Sequence, residues 1–379
     1  MALHLARGEN QVIPLQNGGY FEERSSFSLA DEAGREFFVP YHHPHQEGVP
    51  YGQYFVSLWM RSAYAENDIF EIYDAEGAAR LGWIFPLQAL RSDHHDQAQN
   101  VTFLRFAQAA FYELCNGISN AFVTTPVDQG VDEIDITSFY SEDSIVLILY
   151  KRAFADPDLF RLDDYIPCLF KFGYFLQSSS RNPAEIAAFQ NPTAYEALDQ
   201  RLRVAGISEH LKANPFIRAV LVDHLPYERS GLLSFFYLYQ LVELLLDRIM
   251  QIEQQKFVAI VAERQMNSME LKDAIDSLGK TMSEKARLQI LFSHNLDTHV
   301  DETDLRRACN EFLRTQPGTL AAGAYVEVNE FWQYLYRVRN ALFHNLRGVD
   351  PAAIARLPDI CLAFKKVISE VLISYKETP

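Results

Sequence analysis

The run Gly231–Glu263 is long and very apolar, reads as a single helix, and opens a region with helical patterning to the C-terminus. Met269–Ser293, Glu302–Thr315 and Val326–Arg347 follow as second, third and fourth helices. Pro351–Tyr375 makes a fifth, begun by Asp350-Pro351, a cap residue followed by proline at the first helical position. The loops between them are short, so neighbours are expected to run antiparallel as an up-and-down bundle over residues 229–379. The most apolar part, Leu232 to Leu246, is interrupted by Ser234, Gln240 and Glu243. It is too short and too polar to span a bilayer, and no membrane partner is expected.

Residues 1–155 carry a different pattern. Runs rich in aromatic and β-branched residues predict strands at Glu36–Pro40, Gln53–Trp59, Ile69–Tyr73, Arg80–Phe85, Glu133–Phe139 and Ser144–Tyr150. Asp74–Gly77 and Ser141–Ser144 have turn composition. One helix, about Thr102 to Ala121, is marked by Phe103, Phe106, Ala110, Leu114 and Ile118 at helical spacing. Strands, a helix and more strands make an α+β domain, with parallel pairing left open, so the fold class of the whole chain is α+β. Between the two regions, residues 156–228 are punctuated by Asp156-Pro157, Asn182-Pro183, Asn191-Pro192, Asn214-Pro215 and Leu225-Pro226. They read as a helical connector whose flexible point is Ser178–Ser180.

Charge sharpens this division. Of a net −16, residues 1–150 carry −14, residues 151–220 carry +1 and residues 221–379 carry −3. The acidic first domain repels nucleic acid at long range, whereas the nearly neutral remainder does not. Cys115, Cys168, Cys309 and Cys361 are widely separated, with no C-x-x-C pair, and read as reduced thiols. With no basic segment and apolar run at the N-terminus, a cytoplasmic protein is expected.

The residues that carry chemistry lie on the fourth helix. Val328, Phe331, Leu335, Val338, Leu342 and Leu346 step by three or four and define its core-facing stripe. Asn340 and His344, four apart, share a face. Arg339 is about 140° from His344 around the helix, an offset its long side chain can cover. Gly348 can end the helix within a turn, which puts all three groups at an accessible end of the bundle.

Arg339-Asn340-Ala341-Leu342-Phe343-His344 resembles the motif of the HEPN superfamily: Arg, a polar residue, three variable residues and His. Its place in the penultimate helix of a C-terminal bundle matches as well. The segment Phe235–Glu243 resembles the aromatic opening helix of HEPN domains from bacterial defence proteins and toxins. The resemblance covers roughly residues 225–379. It implies a HEPN-like bundle and a metal-independent endoribonuclease, without cofactor, acting as an antiviral defence effector or toxin.

In that chemistry the RNA 2′-hydroxyl attacks the adjacent phosphorus, so the protein supplies neither nucleophile nor metal. It must move protons and stabilise charge on the phosphate. Histidine titrates near neutrality, and arginine presents a permanent planar fork to phosphate oxygens. Asn340 is expected to position the imidazole or hold a phosphate oxygen. One histidine does not easily serve both proton transfers, and HEPN enzymes pair two domains across one cleft. The resemblance therefore implies a homodimer whose Arg339 and His344 meet across a two-fold axis. Gln240 and Glu243 are expected to orient Arg339, with a buried structural acid the equal alternative for Glu243. A protein trigger or inhibitor is expected to act through the acidic first domain. Two other readings use the same bundle: a non-catalytic dimerisation scaffold for nucleic acid or protein, and an adaptor whose acids around Asp132–Asp143 dock a basic partner. Leu346 stands where some HEPN toxins carry a Tyr modified by an antitoxin, which argues against that form of control.

Further constellations point elsewhere. Ala274-x-x-x-x-Gly279-Lys280-Thr281 imitates a P-loop but follows helix-like sequence instead of a strand. His42-His43-Pro44-His45 and Asp93-His94-His95-Asp96 hold metal-ligand residue types but read as surface loops. No metal is expected.

Overall fold

The computed structural model describes residues 3–7, 11–31, 34–61, 65, 67–117, 132–154, 156, 160–177, 201–263, 267–295, 302–315, 330–344 and 346–377. The chain is α+β and divides into two compact units. The first comprises the described residues of Met1–Arg161, Gly173–Glu185 and Gln190–Ala205, the second those of Leu162–Phe172 and Gly206–Pro379.

In the first unit, β1 (Leu3–Arg7), β2 (Gln11–Phe21), β3 (Ser26–Asp31) and β4 (Glu36–Pro40) form an antiparallel sheet in chain order. Its first three strands escape the sequence pattern. Gly18-Gly19 interrupts any alternating pattern there and forms a register shift inside β2, with Gly19 at φ +98°. A second sheet contains β5 (Tyr54–Met60), β6 (Phe70–Tyr73), β7 (Arg80–Pro86), β8 (Ser144–Tyr150), β9 (Phe175–Leu176) and β10 (Arg201–Arg203). Its order is β10-β6-β7-β8-β5-β9, antiparallel except where β10 joins β6. β9 and β10 are both strands within residues 156–228, the stretch read as a helical connector.

Helix α1 (Val101–Asn116) packs on β5, β7 and β8 of the second sheet. Asn100 caps it by accepting from Thr102 N and Phe103 N. Phe103 meets Trp83 and Phe85 edge-on, with ring centres 5.3 and 5.2 Å apart. Residues 118–121 of the expected helix lie outside the described residues. Glu133–Phe139 does not form the expected strand. Only Glu133 bridges to Phe38, and Ile136–Ser138 is a 3-10 turn. Asp135 causes this, because its carboxylate accepts from Thr137 N at 2.8 Å and from the Thr137 hydroxyl at 2.7 Å.

The histidine clusters converge by one member each. His43 and His95 are buried with ring centres 5.6 Å apart, while His42 and His94 are exposed. His43 Nε2 lies 2.6 Å from the Ala89 carbonyl oxygen, and burial lowers the affinity of His43 for a proton. Among the described residues, no three His, Cys, Asp or Glu side chains are placed to hold a metal ion.

The described residues of the second unit are all-α apart from 3-10 and π-helical turns. It holds α2 (Ile166–Lys171), α3 (Pro215–Arg218) and α4 (Gly231–Glu263), then α5 (Ser268–Thr281), α6 (Glu284–Asn295) and α7 (Thr303–Arg314). α8 (Phe331–His344), α9 (Pro351–Ile354) and α10 (Leu357–Ser374) complete it. Helix α10 packs on α2, α4, α6 and α7, while α8 packs on α6 and α7. Phe235, Leu238, Leu241, Val242 and Leu245 of α4 are buried, as are Phe364, Val367, Ile368 and Val371 of α10. Each such side chain contributes about 1.5–3 kcal/mol relative to exposure.

Three sequence expectations change here, the first being that the single helix Pro351–Tyr375 is two, α9 and α10, parted by a turn at Ala355-Arg356. The single helix Met269–Ser293 is two helices, because the Ser283 hydroxyl accepts from Ala286 N and starts α6 afresh. Leu346 is exposed, since α8 ends at His344 and Leu346 lies in a 3-10 turn beyond it. Gly279-Lys280-Thr281 belongs to α5, so no phosphate-cradling loop exists there. No described helix is long and apolar enough to cross a membrane. Ser178–Ser180, Asn182-Pro183, Asn191-Pro192 and Val328 lie outside the described residues.

Candidate functional site

The α8 stripe Phe331, Leu335, Val338 and Leu342 is buried, which fixes the rotation of the helix and turns Asn340 and His344 towards its open side. Asp350 ends the reversal after α8 by accepting from Ala352 N at 2.7 Å, opening α9. The three motif groups do converge. Arg339 Nη1 donates to Asn340 Oδ1 at 3.1 Å and stands 3.1 Å from His344 Nε2. Guanidinium nitrogens only donate, so in this contact His344 Nε2 is the acceptor. Arg339 and Asn340 are half-buried, whereas His344 is exposed.

The rest of the guanidinium faces acids. Glu243 Oε1 of α4 lies 3.6 Å from Nη2, and Gln240 donates to the other oxygen of the same carboxylate. Both residues singled out on α4 are therefore at the site: Glu243 beside Arg339, and Gln240 one step behind it. Glu284, the first residue of α6, was not anticipated. Its Oε1 lies 3.6 Å from Arg339 Nε and accepts from the Tyr239 hydroxyl at 2.9 Å. Burial, and then Glu284, raise the Tyr239 phenol far above its ordinary pKa, so it remains a donor. Among the described residues, Arg339 Nε makes no hydrogen bond, since 3.6 Å is an ion-pair distance.

Aromatic rings complete the wall. The Arg339 guanidinium carbon is 5.3 Å from the centre of the Phe343 ring and 5.6 Å from that of Tyr239. Phe343 stacks on Phe236 of α4 at 5.7 Å, and both keep an exposed face. Arg337 lies three residues before Asn340 and seven before His344, on the same helical face. It and Arg347 are exposed, and among the described residues neither enters an ion pair.

The arrangement can present a base, a guanidinium and two open cations along one helix end. It also holds two carboxylates for the one guanidinium, which opposes a polyanion at short range. Compared with protein-family models, with curated proteins and with solved structures, the chain matches none.

Proposed function

We propose that the second unit is a HEPN-like, metal-independent endoribonuclease and that His344 and Arg339 carry its chemistry. The supporting observation is the exposed His344 imidazole held through Nε2 by Arg339 Nη1 at 3.1 Å. The contact places His344 Nε2 beside a cation suited to phosphate. A strand following Arg337, Asn340 and His344 towards Arg347 meets positive charge at both ends. Phe343 and Phe236 offer faces on which an unpaired base can stack. Glu243 and Glu284 set the orientation of Arg339, and an arriving phosphate draws the guanidinium away from His344, freeing Nε2 to take the 2′-hydroxyl proton. Protonation of the leaving oxygen then falls to His344 of a second copy. An antiviral defence or toxin role, with the acidic first unit receiving a protein trigger or inhibitor, extends this reading.

The test is incubation of the purified chain with single-stranded RNA and EDTA, beside His344→Ala and Arg339→Ala. Chelator-resistant cleavage leaving a 2′,3′-cyclic phosphate, lost by at least about a hundredfold in each variant, is the expected outcome. Cleavage unaffected by both substitutions refutes the assignment.

The enclosure of Arg339, with its side chain 16% exposed between two carboxylates, favours a second reading. In it the network is structural and the bundle is a non-catalytic scaffold binding nucleic acid or protein. RNA binding that persists in both variants with no cleavage by the wild type identifies that case.

A further inference from the structure

Two further rings continue the aromatic wall beside Arg339. Tyr237 follows Phe236 on α4 and meets it edge-on, with ring centres 5.9 Å apart. The imidazole of His224 lies parallel to the Tyr237 ring, 5.1 Å away at 5°. With the Phe343–Phe236 stack at 5.7 Å, four rings from three segments of the chain make one row that begins beside His344. Phe343 is 40% and Phe236 36% exposed, His224 is exposed, and Tyr237 is half-buried. Tyr237 therefore backs the His224 ring and fixes its plane, while His224, Phe236 and Phe343 keep open faces. His224 is set there by the backbone, since it ends the π-helical turn Ala219–His224, an irregularity frequent at functional sites.

Charge selects the ligand. Arg337 and Arg347 flank the motif, and Arg229 lies in the segment that joins His224 to α4. All three are exposed, and among the described residues none enters an ion pair. The acids of the same segments are engaged locally. Asp223 lies 3.7 Å from Arg218, Glu228 accepts from Ser230 N at 2.7 Å, and Asp350 caps α9. Open rings between unengaged arginines match a polyanion that carries flat apolar groups. We propose that the row from Phe343 to His224 is an extended subsite for single-stranded RNA, where unpaired bases beside the bound phosphate stack on Phe343, Phe236 and His224. A duplex hides its base faces inside its own stack and does not fit. Every base has such a face, so the row holds the strand without choosing its sequence. The inference rests on RNA as the ligand of the Arg339 site, but not on cleavage there.

The test reads binding of a probe that cannot be cleaved. A fluorescein-labelled dodecamer of 2′-O-methyl uridine is titrated with the full chain in EDTA and followed by anisotropy, beside the same strand annealed to its complement. The single strand is expected to bind, and the duplex at least about tenfold more weakly. His224→Ala, a change at an exposed side chain, is expected to weaken binding about tenfold. Tyr237→Leu, which keeps apolar bulk and removes the ring, is expected to do the same, while Tyr237→Phe stays within about twofold of the wild type. Affinity unchanged by both His224→Ala and Tyr237→Leu overturns the proposal. So does equal binding of the duplex, or no binding of either probe, the result expected if a protein covers these rings. Because the probe lacks the attacking hydroxyl, the two readings fail separately. Cleavage of ordinary RNA by a chain whose affinity ignores both substitutions removes the row and leaves the nuclease standing. Binding that depends on the row, with no cleavage of ordinary RNA, supports the row and removes the nuclease.

Discussion

Replacing Lys365 by Met is expected to stabilise the second unit, with a pH signature that identifies the cause. Lys365 sits on α10, 3% exposed, with its ammonium 5.6 Å from the centre of the Phe170 ring. Burial lowers its pKa from 10.5 to about 8, against the opposing influence of the neighbouring Cys361 thiol. The unfolded chain therefore binds this proton more tightly than the fold does. Stability associated with Lys365 rises as the pH increases from about 8 to 10.5, and it is at its lowest below 8. At about 1.4 kcal/mol per pH unit, the gap amounts to about 3 kcal/mol at pH 7. Methionine has similar length and no charge, and such a swap perturbs packing by less than about 1.5 kcal/mol. A gain of about 2–3 kcal/mol at pH 7 is expected, shrinking to near zero by pH 10.5. The buried Cys309 thiol, pushed up by the same desolvation, loses stability above pH 9 in both proteins and largely cancels in the difference, whereas Cys361, which Lys365 pulls down, is pushed further up in the Met variant and makes the gain shrink faster at alkaline pH. Urea unfolding followed by circular dichroism at pH 7, 8.5 and 10 measures it. A gain that does not change with pH, or a loss at pH 7, refutes the argument.

Acid is expected to weaken the first unit through His43, whose proton affinity is lowered chiefly by burial and opposed by Ala89 O and Asp93. Its contribution is intact above pH 6.5 and lost as the pH falls below that value; thermal unfolding across pH 8 to 5 should show the slope, and His43→Leu should flatten it. Gly82→Ala should destabilise the first unit by at least about 2 kcal/mol, read by chemical denaturation, because a Cβ at Gly82 of β7 overlaps the Ile148 carbonyl on β8. On the proposed nuclease reading, Glu284→Gln should lower RNA turnover about tenfold while RNA affinity holds or improves, since it loosens Arg339 and removes a negative charge that would face a bound phosphate. A fall in affinity with unchanged turnover would contradict that role for Glu284.

Long periodic segments were the legible part of this chain. Gly231–Glu263, Glu36–Pro40 and Ser144–Tyr150 run between the residues that pattern indicates: packing buries the two strands and the first part of the helix, and the helical pattern carries the rest of it beyond Ile249. Local side-chain chemistry defeated pattern elsewhere: Asp135 turns a β-rich run into a 3-10 turn, and Ser283 cuts one amphipathic run into two helices. The second of these also concealed Glu284. Read mid-helix it is one surface acid among many, whereas at a fresh helix start it faces Arg339 and Tyr239. The convergence of Arg339, Asn340 and His344 followed from their spacing on one helix. The acids around them come from other helices, and only the packed unit brings them in.

The break before Glu284 has a mechanical consequence. Glu243 is joined to the outer end of α4 by an unbroken rod, with about 22 Å of continuous helix between it and Val258. Glu284 is reached from the same end only across a joint at Met282-Ser283. The two carboxylates beside Arg339 therefore connect to the outer end of α4 by different routes, one through continuous helix and the other across a break.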